Sequence, residues 1–308
     1  KDGYENARLA AEIAEEDFDK ITDIIGYSPY TKTKIFLYNS VSDLQQSNIG
    51  INDQNYKGGG QTNFFKSQIE MAYPGTLSSF KEELSYNVAR MLITDMMFGG
   101  NLKDMLQNSF LLTLPDWFME GAALYVSQGW GLEMDDLIRD KLIRGKIKRL
   151  NTLKGDEAGI VGQSIWNYIA EKYGRINISN VLNLTRIIRN EESSISSTLG
   201  ISFNRFVNDW RNYYITLNEP VIGAYADPSA DLKVRKKNKK GFNYNKVKIN
   251  STGEYVAYSE NFKGKFKVYV KRINSKRRKV ALKGGHKVIN QAVDQNLPLL
   301  SWKDDRYL

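Results

Sequence analysis

The chain of 308 residues contains no cysteine and only one histidine, His286. Without cysteine the chain cannot form disulfides or thiolate metal sites. A single histidine argues against a catalytic zinc site, because most such sites use two or three imidazoles. No apolar run reaches the ~20 residues that span a bilayer, so we expect no transmembrane helix. No signal peptide is visible after Lys1, so either the protein is not exported or its signal has been removed.

The net charge of +9 is distributed unevenly along the chain. Residues 233–287 contain nineteen Lys and Arg against two acids, Glu254 and Glu260, which makes this stretch +17 and leaves −8 for the rest. Such asymmetry favours two units with different surroundings. Since single cores rarely exceed roughly 250 residues, the length also favours more than one domain.

The front part of the sequence predicts an α+β domain, mostly helical with a small N-terminal sheet, over residues 1–219. Apolar residues at helical spacing predict a helix over 5–26, and an apolar run predicts a strand over 34–38. Further strand is expected between 64 and 73. Further helices are expected at 76–98, 115–126, 131–144, 161–173, 176–190 and 202–217.

The back part changes character twice. Residues 220–242 are basic and have almost nothing to bury, so they read as a linker. Beyond it, period-two patterns predict short strands at 255–258, 266–270 and 279–282. The stretch 250–256 resembles 302–308 at an offset of 52 residues, which favours a β-propeller. Residues 243–308 are therefore expected to be the first blade and the start of a second, in a fragment of a longer protein.

The front part also follows the order of a gluzincin metallopeptidase. In that plan one helix carries His-Glu-x-x-His, whose histidines bind zinc, and a later helix supplies a Glu ligand. The chain resembles the peptidase-MA-like domain of exported bacterial proteins that have a TolB-like propeller behind it. The resemblance rests on these stretches in chain order: Tyr38-Asn39-Ser40, Gly59-Gly60-Gln61-Thr62-Asn63, Glu82-Glu83-Leu84-Ser85-Tyr86, Leu114-Pro115-Asp116-Trp117-Phe118-Met119-Glu120-Gly121 and the closing helices at 166–174 and 200–210.

The resemblance implies metal-ligand positions at Glu82, Tyr86 and Glu120 and a general-base position at Glu83. Glu82 and Tyr86 replace the two histidines of the family, whereas Glu83 and Glu120 are the expected residue types. Tyrosine stays protonated near neutral pH and neighbouring carboxylates repel each other, so this set is unfavourable for zinc. We therefore expect a vestigial site with no metal, no cofactor and no working catalytic residue. Adjacent glutamates on a solvated helix face are the plain structural alternative.

The resulting expectation is a pseudo-peptidase: a catalytically inactive, peptidase-like scaffold or binding module. The resemblance implies a periplasmic or outer-membrane-associated location, with protein partners in a cell-envelope complex. One alternative is an active metallopeptidase or hydrolase with a non-standard site. Another is a binder of anionic polymers. We expect no nucleic-acid partner, because the basic run 235–240 contains no aromatic residue for base stacking.

Overall fold

The structure is a computed structural model, and its contacts divide the chain into two units, residues 1–224 and 225–308. The first unit is mainly helical with a small sheet, and the second is an antiparallel sheet, so the predicted α+β class is confirmed. None of the helices in the described ranges is long and apolar enough to cross a bilayer. The structure describes residues 2–30, 32–40, 43–44, 61–63, 68–74, 76–99, 114–145, 147, 149–224, 234, 239–287 and 298–303.

The described part of the first unit contains eight α-helices and a three-stranded sheet. In the sheet, β1 pairs in parallel with β3, and β2 pairs antiparallel with the other edge of β3. The strands are β1 (Lys34–Tyr38), β2 (Gln61–Asn63) and β3 (Gln68–Ala72). The helices are α1 (Asp2–Ile25), α2 (Leu77–Phe98), α3 (Asp116–Gln128), α4 (Leu132–Ile143), α5 (Gly155–Tyr173), α6 (Ile176–Ile188), α7 (Glu191–Leu199) and α8 (Phe203–Ala224).

Local sequence signals explain where α2 and α3 begin. The Thr76 side chain caps α2 by accepting a hydrogen bond from the Ser79 amide at 3.3 Å. Pro115 precedes the first turn of α3, where its fixed φ suits the start of a helix. Both starting points agree with the sequence prediction, and these two helices carry every candidate site residue of the peptidase motif.

The core of the first unit is built around the aromatic residues of α3, α5 and α8. Trp117 and Phe118 on α3 are completely buried, as is Trp166 on α5. The Trp166 indole donates to the Phe118 carbonyl oxygen at 3.0 Å. Most of the Leu-Pro-Asp-Trp-Phe-Met-Glu-Gly motif therefore has a packing role, independent of any chemistry.

Helices α3 and α5 cross closely because glycines face each other at the contact. A Cβ added at Gly162 would lie 1.8 Å from the Trp117 carbonyl oxygen, and one at Gly121 would lie 2.4 Å from the Gly162 backbone. Neither position tolerates a side chain without moving a helix. The crossing fixes the rotation of α3 about its axis and thereby the direction of Glu120, one residue before Gly121.

The predicted boundary between front domain and linker is wrong by five residues. Helix α8 continues through Pro220 to Ala224, so residues 220–224 are helical rather than linker. Most of the remaining predicted linker, including 235–238 of the basic run, lies outside the described residues.

Helix α7 is an element that the sequence analysis did not predict. It is serine-rich, and its clearest signal is local: the Asn190 side chain caps it by accepting from the Ser193 amide at 2.7 Å.

The second unit is a four-stranded antiparallel sheet in sequential order. Its strands are β4 (Asn243–Ile249), β5 (Tyr255–Phe262), β6 (Lys265–Arg272) and β7 (Lys279–Gly284). Strands β5 to β7 match predicted ones. Strand β4 was missed, because a bulge between Asn245 and Lys248 interrupts its alternation. No closed propeller is formed by the residues described, and 304–308 of the predicted repeat fall outside them.

Candidate functional site

Helix α2 presents the peptidase-motif residues over two of its turns. Glu83, Tyr86 and Arg90 follow one another at spacings of three and four residues and so share one side of the helix. Helix α3 packs beside α2, and the Ser85 hydroxyl donates to the Ser127 carbonyl oxygen at 3.4 Å. This packing brings Glu120 of α3 opposite Tyr86.

Glu120 is bound by two side chains of α2. The Tyr86 hydroxyl donates to Glu120 Oε2, and Arg90 Nε donates to Glu120 Oε1 at 3.1 Å. Both carboxylate oxygens therefore have a protein donor. Burial, followed by the negative charge of Glu120 and the hydrogen bond to it, raises the pKa of Tyr86 above its ordinary value. Tyr86 is thus a neutral donor at physiological pH.

Glu83 lies in a different environment on the same helix. Its Oε2 is buried and has no hydrogen-bond partner in the described part of the chain. Burial and then the neighbouring charge of Glu82 raise the pKa of Glu83 to about 7. A carboxyl group with this pKa exchanges protons near neutral pH, which is the property that general acid–base catalysis requires.

The Glu82 side chain lines a cleft and does not meet Glu120. Its side chain is exposed and accepts a hydrogen bond from the Ser78 hydroxyl at 3.3 Å. The cleft has a volume of about 440 Å³ and lies between α1, α2 and the region where α3 leads into α4. Neither Tyr86 nor Glu120 lines it. Of the three predicted metal positions, the structure therefore brings two together and directs the third elsewhere.

The residues present at this site do not fit a zinc ion. Tyr86 and Arg90 each donate to one oxygen of Glu120, so the negative charge that would attract a metal ion is already compensated by the Arg90 guanidinium. The guanidinium would also repel a cation, and a neutral phenol is a poor zinc ligand. Within the described ranges, no three His, Cys, Asp or Glu side chains are arranged to hold a metal ion.

Arg90 is the site residue that the sequence analysis missed. It lies four residues after Tyr86, so helical spacing alone places it on the same side of α2. An arginine one turn beyond the second ligand position is a signal that could have been read from the sequence. The predicted edge-strand motif is described only at Gln61–Asn63, which forms β2, and its preceding glycines lie outside the described residues.

Comparison with family models, with curated proteins and with solved structures finds no match to this chain. The resemblance to peptidase-MA-like domains therefore rests on the motif residues quoted above and stays a prediction. What the structure adds independently is a glutamate held by a tyrosine and an arginine, beside a second glutamate with a raised pKa.

Proposed function

We propose that residues 1–224 form a peptidase-like domain that has exchanged its metal for side-chain contacts and now binds a protein partner. The observation that carries the proposal is the double occupation of Glu120 by Tyr86 and Arg90. These contacts join α2 to α3 at the position where a zinc ion would join them in an active relative. The domain keeps the helix arrangement without a metal and offers its surfaces for binding.

The same proposal assigns residues 243–308 to a β-propeller. Four antiparallel strands in sequential order are the unit from which propeller blades are made. After β7 the chain returns to β4, where the Trp302 indole donates to the Lys248 carbonyl oxygen at 3.0 Å. Apolar side chains remain exposed on both edge strands, Val247 and Ile249 on β4 and Val280 and Leu282 on β7. Packing against a further blade would cover them.

We place the protein in the cell envelope of a bacterium, in the periplasm or at the outer membrane, as a subunit of a larger complex. This location follows from the resemblance to exported peptidase-like proteins. The partner surface we favour is the cleft beside Glu82, which corresponds to the position of the first metal ligand.

Site-specific crosslinking in envelope extract tests the proposal. A photo-reactive residue in place of Glu82 is expected to capture one defined protein. The same residue in place of the exposed Ile176 on α6 serves as the control and is expected to capture none. Equal capture at both positions would contradict a partner site in the cleft.

A metal-free hydrolase is the second candidate, and Glu83 is the observation that favours it. A buried, unpartnered carboxyl oxygen with a pKa of about 7 could transfer a proton to a substrate. Glu120 is not available as a second acid, since both of its oxygens are bound. Replacing Glu83→Gln would abolish peptide hydrolysis if this candidate were correct, and would leave partner capture unchanged if the scaffold proposal is correct.

A further inference from the structure

Seven lysines gather at one end of the sheet in the second unit. This end contains the start of β4, the β5–β6 turn and the end of β7, as the pairings of Phe262 with Lys265 and of Phe266 with Gly284 show. We call it the lysine-rich end. Its lysines are Lys239, Lys240, Lys263, Lys265, Lys267, Lys283 and Lys287, and all except Lys267 are exposed.

The positive charge of the lysine-rich end is not balanced within residues 239–287. Lys267 lies directly opposite Lys283 in the β6–β7 pair, an arrangement of like charges that destabilises a sheet. On its other side Lys267 is opposite Glu260, but the Glu260 carboxylate accepts from Arg278 at 2.7 Å and is almost completely buried. Glu254, the second acid of this stretch, precedes β5 at the far end of the sheet.

Aromatic rings lie among these lysines. Phe242 stacks on Phe262 with ring centroids 4.7 Å apart, and both rings are partly exposed. The Lys239 ammonium lies 5.3 Å from the centroid of Phe242, and the Lys287 ammonium lies 5.6 Å from that of Phe262. Lysines around partly exposed phenylalanines are a combination typical of protein surfaces that contact anionic membranes.

We propose that the lysine-rich end binds the surface of a membrane that contains anionic phospholipids. The compact, strongly hydrated charge of lysine suits attraction to a layer of headgroups, and the stacked phenylalanines supply apolar contact at the boundary with the acyl chains. All seven lysines belong to the second unit of the chain. The inference therefore does not depend on the function proposed for residues 1–224.

Single-stranded nucleic acid is the competing anionic partner, and the geometry is less suited to it. Bases bind by stacking on open aromatic faces. Here Phe242 stacks on Phe262 and Tyr244, and lysine ammonium groups lie over the Phe242 and Phe262 rings. Arginine is the residue that binds phosphate and guanine in a bidentate manner, and the nearby Arg278 already donates to Glu260 at 2.7 Å.

Sedimentation with lipid vesicles tests the proposal on the full chain. We expect binding to vesicles of phosphatidylcholine mixed with an equal amount of phosphatidylglycerol, little binding to phosphatidylcholine alone, and loss of binding at high salt. The paired substitution Lys263→Gln and Lys265→Gln should weaken binding roughly tenfold or more, because each lysine near an anionic surface contributes appreciably. Circular dichroism of the variant checks that it folds.

A matched control removes the same charge at the opposite end of the sheet. Lys276→Gln with Arg277→Gln alters exposed residues between β6 and β7, and binding should change less than twofold. Equal weakening of vesicle binding by both pairs of substitutions would overturn the inference. Equal binding to vesicles with and without phosphatidylglycerol would overturn it as well. Tighter binding to single-stranded RNA than to vesicles would assign the surface to nucleic acid instead. Competition by inorganic phosphate at constant ionic strength would indicate a phosphate pocket and would also overturn it.

Discussion

Arg90 and Glu120 form an ion pair between two neighbouring helices, with 3.1 Å between Nε and Oε1. Both side chains are partly buried, so the pair is better shielded from water than a fully exposed salt bridge. Tyr86 completes the arrangement by donating to the other oxygen of Glu120. One carboxylate thus accepts a neutral and a charged donor, at the position that the resemblance to peptidases assigns to a metal ligand.

The Tyr86 hydroxyl is expected to contribute measurably to stability. Replacing Tyr86→Phe keeps the ring but leaves Oε2 of the partly buried Glu120 without its donor, which should lower the free energy of unfolding by about 1–2 kcal/mol. Chemical denaturation followed by circular dichroism measures the change. Tyr30→Phe is the control, because Tyr30 is exposed. Equal stability of the two variants would show that the Tyr86 contact is unimportant.

Glu83 should make the protein less stable as the pH rises. Its folded-state pKa of about 7 lies above the ordinary value of 4.5, so the folded state binds more protons between these two pH values. Stability should therefore fall from about pH 4.5 to pH 7 and show no further effect of Glu83 above that. Glu83→Gln should remove this pH dependence, and at pH 8 its free energy of unfolding should exceed that of the wild type by about 1 kcal/mol. The difference is smaller than the full pKa shift would give, because solvent partly screens the charge of Glu83.

Unfolding curves of the wild type and Glu83→Gln at pH 5 and pH 8 check this sign. Glu82→Gln is the matched control on the same helix. It should stabilise the protein only slightly, by removing the neighbouring charge that raises the pKa of Glu83. A wild type that gained stability relative to Glu83→Gln on going from pH 5 to pH 8 would contradict the raised pKa.

The glycine contact between α3 and α5 should be intolerant of a methyl group. Gly162→Ala would place a carbon within 1.8 Å of a backbone oxygen, so it should destabilise the first unit by about 3 kcal/mol or more or prevent folding. Gly159→Ala lies on the same helix, but its Cβ would meet the flexible end of Leu124 at 2.8 Å. Its cost should be clearly smaller, and thermal unfolding distinguishes the two. Similar melting temperatures would contradict the close crossing.

The sequence predicted the elements whose signals are local. Strand β1 has the predicted bounds, and α2 begins one residue after its predicted start and ends at its predicted last residue. Helix α7 was missed because its serines carry little helical periodicity. The predicted linker began at Pro220, yet Pro220 lies inside α8, four residues before its end. Proline removes one backbone hydrogen bond of the helix, and the packing of the preceding turns of α8 compensates for that loss.

The site was predicted only in part, because adjacency along a helix does not fix which neighbour a side chain meets. Tyr86 and Glu120 meet as the motif suggests. Glu82 instead lines a separate cleft, and the pairing of Arg90 with Glu120 depends on how α3 is rotated against α2. That rotation is set by the contact of Gly121 with Gly162, two residues far apart in the sequence.

Introducing the two histidines of the resembled family tests the proposed descent from a metallopeptidase. The combination of Glu82→His, Tyr86→His and Arg90→Ala supplies two imidazoles four residues apart and releases one oxygen of Glu120. If the helices have the zincin-like arrangement, this variant should bind one zinc ion per chain. Adding Glu120→Gln should weaken that binding at least tenfold. A folded triple variant that binds no zinc would argue against the peptidase-like ancestry.

Zinc titration of the unaltered full chain addresses the central proposal most directly. Isothermal calorimetry together with metal analysis of the dialysed protein measures both affinity and stoichiometry. Because Tyr86 and Arg90 hold Glu120, we predict that the dialysed protein contains no stoichiometric zinc. We also predict that the heat measured on adding zinc is the same for the wild type and for Glu120→Gln. One tightly bound zinc per chain that is lost in Glu120→Gln would contradict the proposal.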